Sequence, residues 1–178
     1  HGNETVPDMV TRLPEAWGQP VAAINGDYFE FQGEPRYFGT LQGMCIVDGE
    51  VVTAPPASAF WTEAQGRPHL GHVSSRMAVI WPDGRETPFS LNCSTRDFKS
   101  EVRASEAVLY TPRFGPSTKT ANGAREWILQ RPEPDARWLP LAADGVYTAR
   151  VDTVSRSGDA SIPGNGLVLS VANAATGK

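Results

Sequence analysis

The chain has 178 residues, 40% hydrophobic and 20% charged, with 17 Gly, 15 Pro, five Trp and a formal net charge of -4. That apolar supply excludes a disordered chain, and the length suits one core in one domain, 1–178. No apolar run is long enough to cross a bilayer, and the charges are mixed along the chain rather than gathered into a basic stripe, so neither a transmembrane segment nor a nucleic-acid partner is expected.

The first element is a short helix predicted over Val6–Trp17, VPDMVTRLPEAW. Asp8 is placed to cap its first turn, Met9, Val10 and Leu13 share one face, and Pro14 disturbs it. Val21–Ile24 is small and β-branched, fit for an interior strand, and Asn25-Gly26-Asp27 breaks it with residues that tolerate positive φ or bond locally. In MCIVDGEVVTA, Asp48-Gly49 joins two β-rich arms, Met44–Val47 and Val51–Ala54, as a tight hairpin. The stretch 72–91 repeats that logic, with Met77–Ile80 before the turn Pro82-Asp83-Gly84.

Farther on, Val108–Thr111, Glu126–Gln130, Val146–Val154 and Leu167–Ala172 have strand composition between Gly/Pro-rich connectors. Arg131–Pro140 reads as a surface loop, because strand patterns resume on both sides of it. The expected fold is therefore α+β and β-rich, with mixed or antiparallel sheets and one or two short helices. There is no internal repeat.

Several common kinds of site are incomplete or absent in the sequence. His69 and His72 flank Leu70-Gly71 in what reads as a loop, without the Cys or acidic residues that would complete a four-ligand set; solvated histidines are expected, with no metal and no cofactor. His1 has an amine and a ring nitrogen that together can chelate a metal, although a fragment end is the commoner meaning of such a terminus. Cys45 and Cys93 lie in strand-like segments and form a disulfide only if those strands bring them together; two buried thiols are the alternative. Asn3-Glu4-Thr5 and Asn92-Cys93-Ser94 match the N-glycosylation acceptor pattern, which matters only in a secreted protein. No phosphate loop, dinucleotide fingerprint or Gly-x-Ser-x-Gly elbow is present.

Four stretches in order, AINGDYF (Ala23–Phe29), YFGTLQGMCIVDGEVV (Tyr37–Val52), VLYTPRFGPST (Val108–Thr118) and IPGNGLVLS (Ile162–Ser170), are similar to segments of the phosphodiester glycosidase family, whose animal member removes N-acetylglucosamine from a sugar-phosphate diester on lysosomal enzymes. The resemblance implies a secreted or cell-envelope hydrolase acting on glycans. Family members continue past the point matching Lys178 into an Arg-containing strand and a Leu-Asp-Gly-Gly-Gly-Ser motif, so this chain is expected to lack the C-terminal half of such a domain and to be nearly inactive alone.

Cleaving a glycosyl phosphate needs a carboxylate or activated water at the anomeric centre and charge stabilisation of the leaving phosphate. Asp27 and Asn25 are the catalytic candidates, the first as carboxylate and the second as partner of a sugar hydroxyl. Gly26, Tyr28 and Arg113 are the substrate-binding candidates, Tyr28 for stacking on a ring face and Arg113 for a phosphate. Asp27 equally fits an Asx-turn residue bonding its own backbone. The alternative function is a non-enzymatic module that binds glycans or assembles with itself or a second chain at the cell surface, by pairing along exposed strand edges.

Overall fold

The structure, a computed structural model, describes residues 4–23, 26–31, 35–94 and 107–171. It is β-rich, with mixed and antiparallel sheets and, among the described residues, one α-helix. That helix, α1 (Val6–Thr11), is shorter than its predicted span. Thr5 rather than Asp8 is its N-cap: the Thr5 hydroxyl accepts from the Asp8 amide at 3.3 Å and donates to the Asp8 carboxylate at 2.5 Å. The helix stops before Leu13 because a residue preceding proline is pushed out of the α region; after Pro14 the chain makes a separate 3₁₀ turn at Glu15–Trp17.

The strand expected at Val21–Ile24 does not form over its described part. Among the described residues Val21, Ala22 and Ala23 pair with no strand and are exposed, and Ile24 lies outside the described residues. Their composition fits a pleated surface, but a strand exists only where a neighbour satisfies its backbone groups.

Three hairpins follow. In β1 (Cys45–Val47) and β2 (Glu50–Thr53) the connecting Asp48 and Gly49 take φ of 51° and 79°, the pair of positive values that a type I′ turn requires. β3 (Ala57–Thr62) and β4 (Pro68–Val73) form a second two-stranded sheet. His69 and His72 thus lie in a strand, not in a loop, on opposite faces of it. Next, β5 (Ala78–Ile80) and β6 (Glu86–Leu91) are joined at Pro82-Asp83-Gly84, where Gly84 has φ of 82°.

The main sheet adds β7 (Ala107–Tyr110), β8 (Arg125–Gln130), β9 (Arg150–Ser155) and β10 (Leu167–Val171), in the order β5-β6-β7-β10-β8-β9. Its ladders are antiparallel except for the parallel pair β6–β7. Only the second half of the expected strand Val146–Val154 is strand. β7 and β10 sit in the middle and are buried on both faces, which is why they read as continuous apolar runs instead of alternating ones. One face packs Leu109, Leu129, Leu167 and Leu169 under Trp138 and Leu141; the other packs Val108, Tyr110 and Val168 against Tyr37, Phe114 and Ile162. Trp138 pins the 131–140 segment to the sheet: its indole N–H donates to the Asn165 carbonyl at 3.0 Å, so this surface loop has a buried anchor.

Polar groups inside the fold are bonded in sets. Glu126, fully buried on β8, accepts from the Thr120 hydroxyl and the Ala160 amide, both at 3.0 Å, and so ties two connecting loops to the sheet. Asn92 does the same at the end of β6. Its side-chain amide donates to the Val52 carbonyl at 2.8 Å and the Thr111 hydroxyl at 3.0 Å, while its oxygen accepts from the Thr111 amide at 2.8 Å. Buried at 2% exposure and bonded at both ends of its amide, Asn92 has no room for a glycan in the folded chain. Asn3 and His1 lie outside the described residues. No disulfide joins Cys45 to Cys93.

Candidate functional site

The segment from Gly26 to Phe31 runs back against 39–43. The Gln42 amide donates to the Tyr28 carbonyl at 2.9 Å, the Glu30 amide to Thr40 at 2.8 Å, and Phe29 bridges to Leu41. At the end of this ribbon Asp27 acts as a hook. One carboxylate oxygen accepts from the Tyr28 amide at 2.7 Å and the other from the Gly43 amide at 3.1 Å. Gly43 is held from its other side by the Thr53 hydroxyl, which donates to its carbonyl at 2.7 Å. A side chain at Gly43 would collide with this arrangement, because a Cβ there would lie 2.5 Å from Asp27 Oδ1. Glycine is needed here for close approach.

Asp27 is half-buried, Gly26 exposed and Tyr28 79% exposed. Asn25, the other catalytic candidate, lies outside the described residues. Each Asp27 oxygen keeps a further lone pair, so the carboxylate can still accept a proton donor from outside while its orientation is set by two amides. The Cys45 thiol nearby is pushed above its ordinary value, first by burial and second by the Asp27 charge.

Arg113 occupies the other end of the β1–β2 hairpin. Its Nε donates to the Glu50 carboxylate at 2.6 Å; Glu50 is buried to 8% exposure, whereas the Arg113 side chain remains 52% exposed. The Glu50 hydrogen bond and charge, with a smaller contribution from Asp48, raise the guanidinium further above its ordinary value, so it stays protonated. Arg113 borders a shallow, open depression shared with Glu50, Pro112, Leu139, Pro140 and Gly164. Thr53 marks the Asp27 end of β2 and Glu50 marks the Arg113 end, and three residues of strand put the two roughly 10 Å apart. The fold therefore does not bring Asp27 and Arg113 into contact.

A second concavity of about 210 Å³ lies between the hairpin and β6, walled by Leu41, Thr53, Met77, Phe89 and Leu91 with Cys93. Residues 26–29 line neither of these two cavities. Among the described residues no cluster of His, Cys, Asp and Glu is arranged to hold a metal ion, and no helix is long and apolar enough to cross a membrane. On β4, His69 stacks on Trp61 with ring centroids 5.3 Å apart and puts its Nε2 2.8 Å from Glu63.

Read from sequence, Glu50 has no assigned role and Asn92 stands only in a glycosylation pattern, not as a buried staple. A glutamate just after an Asp-Gly turn looks like an exposed hairpin residue, and only its burial reveals its part in holding Arg113. Asn92 carried a usable signal, a small amide between Leu91 and Cys93 in an apolar run, where a polar side chain must find internal partners. Compared with family models, with curated proteins and with solved structures, the chain has no match.

Proposed function

We propose that the chain is a glycosidase-like domain whose ligand is a sugar-phosphate diester, with Arg113 contacting the phosphate. The carrying observation is convergence. Glu50, Arg113 and Gly164 come from three of the four stretches that resemble the phosphodiester glycosidase family, and all three border one depression. Other links join the same stretches: Val168 and Leu169 pair with Tyr110 and Leu109, and the Asp27 hook ties the first stretch to the second.

On this reading the exposed edge of the Arg113 guanidinium meets phosphate oxygens, while Asp27, at the opposite end of the hairpin, lies outside the depression and takes no part in that contact. Among the described residues lining the depression Arg113 is the one cation, and a single fork leaves much of the leaving-group charge unmatched. Binding should therefore exceed turnover in the 178-residue chain. The test is titration with an N-acetylglucosaminyl methyl phosphate diester, followed by NMR at Arg113 and Gly164 and by assay of released sugar. Saturable shifts at those residues support the proposal; no shift and no release defeat it.

A second reading, a glycan-binding or self-assembling cell-surface module, is favoured by the β3–β4 hairpin. Phe60 and Leu70 face each other across that ladder at 67% and 80% exposure. A two-stranded sheet that leaves such an apolar pair exposed is marginal in water by itself. Sedimentation equilibrium distinguishes this reading: a concentration-dependent dimer abolished by Phe60→Ser would favour it.

A further inference from the structure

We infer that Glu50 is a positioning residue: by holding Arg113 at Nε, it presents the Nη1 and Nη2 edge of the guanidinium as a preset fork for a tetrahedral oxyanion. The inference rests on the proposed phosphate role of Arg113 and assigns Glu50 a part in it. The Nε hydrogen bond to Glu50 occupies one of five guanidinium donors. Among the described residues the other four have no partner, and more than half of the side chain faces solvent. A guanidinium gripped by Nε can offer both terminal nitrogens to two oxygens of one anion, which is the strong bidentate geometry.

Both partners of this ion pair are held by buried structure. Glu50 opens β2, and the next residue bonds the interior segment through the Val51 amide, which donates to Leu141 at 2.8 Å. The Arg113 turn is tied to the same strand: Asn92 bonds Val52 on one side and Thr111 on the other, the Thr111 hydroxyl accepts from the Arg113 amide at 3.3 Å, and the Phe114 amide closes the turn on Thr111 at 3.0 Å. Gly164 and Pro112 border the depression without a charge or a long side chain.

Net charge works against an anion here. Asp48 and Glu50 both act on Arg113, so among the described residues two negative groups oppose one positive group here. Charge alone and orientation therefore predict opposite effects of removing Glu50. If Glu50 is only a competing anion, its loss strengthens anion binding; if it presets the fork, its loss weakens binding although the site becomes more positive.

The experiment measures the affinity of the full chain for inorganic phosphate and for dimethyl phosphate at low ionic strength, by calorimetry and by NMR of the Arg113 side chain. Glu50→Gln keeps an acceptor for Nε and should bind within about twofold of the parent, whereas Glu50→Leu should lose roughly tenfold. Arg113→Lys keeps the charge without the fork and should lose a similar factor, which tests the idea even if the leucine variant fails to fold. Unchanged or tighter binding in Glu50→Leu, or parent-like binding in Arg113→Lys, overturns the inference, as does absence of phosphate binding by the parent. Binding of inorganic phosphate without dimethyl phosphate upholds the fork and defeats the diester reading instead.

Discussion

Replacing Asn92 by alanine should be among the most damaging single changes in the chain. Its side chain makes three hydrogen bonds to Val52 and Thr111, and its backbone sits at φ of 50°. Truncation removes those bonds and leaves the Thr111 amide, in a residue only 1% exposed, without a partner. An unsatisfied buried donor costs about 1–3 kcal/mol and each other lost bond about 0.5–1.5 kcal/mol. A β-carbon without a stabilising side chain in the left-handed region adds about 1 kcal/mol. Because such terms overlap, a total of about 3–5 kcal/mol is expected, a large share of the roughly 5–15 kcal/mol that holds a domain folded.

Urea unfolding monitored by tryptophan fluorescence measures the loss. Asn92→Gly separates its two parts, since glycine removes the backbone cost and should recover about 1 kcal/mol of it. If the alanine variant loses less than about 1 kcal/mol, or the glycine variant is no better than alanine, the account of Asn92 as a three-bond staple at a left-handed turn is wrong.

Three further outcomes are expected. Asp27→Asn retains one acceptor oxygen for two amides and should cost about 1–2 kcal/mol with faster hydrogen exchange at Gly43; the same exchange change should appear in Gly43→Ala, and a protected Gly43 amide in either variant would contradict the hook. The Cys45 thiol, raised by burial and then by Asp27, should alkylate more slowly than a free model thiol at neutral pH and faster in Asp27→Asn, and an unchanged rate would remove Asp27 as a cause. Asp83 is held below the ordinary carboxylate value, chiefly by the Arg85 side chain and then by the Arg85 amide. A lowered value in the folded state means the turn is supported above the unfolded carboxylate value, about 3.9, and loses that support as pH falls through the lower folded value. An NMR titration placing Asp83 at or above the ordinary value would refute this.

Turn chemistry made much of the fold legible. Asp48-Gly49 and Pro82-Asp83-Gly84 demand backbone conformations few other residues adopt, so both hairpins could be read from a handful of letters. The β3–β4 hairpin escaped notice because Pro68, the two histidines and Gly71 interrupt its pattern, while the pairing that makes it a sheet is a property of two segments together. Val21–Ala23 failed in the reverse sense: strand composition without a partner. The parallel β6–β7 ladder was equally invisible, since alternation of apolar residues does not encode the direction of a neighbour. At the candidate site, residue type pointed to Asp27 and Arg113, yet the two are held at opposite ends of one hairpin by Gly43 and Glu50, contacts that join residues distant in sequence.

The position of β10 carries a kinetic consequence. This strand lies between β7 and β8 and is buried along its whole length, but it follows both of them in the chain. Until residues 167–171 arrive, β7 and β8 each have an open inner edge, and the apolar faces that later meet across Val168 and Leu169 stay accessible to water and to other chains. Closing the sheet then requires contacts spanning the long interval from Tyr110 to Val168, the kind of non-local pairing that folds slowly. During synthesis the newborn chain should therefore linger in an open-edged state and depend on chaperones or low concentration to avoid aggregation, with final assembly delayed until β10 leaves the ribosome.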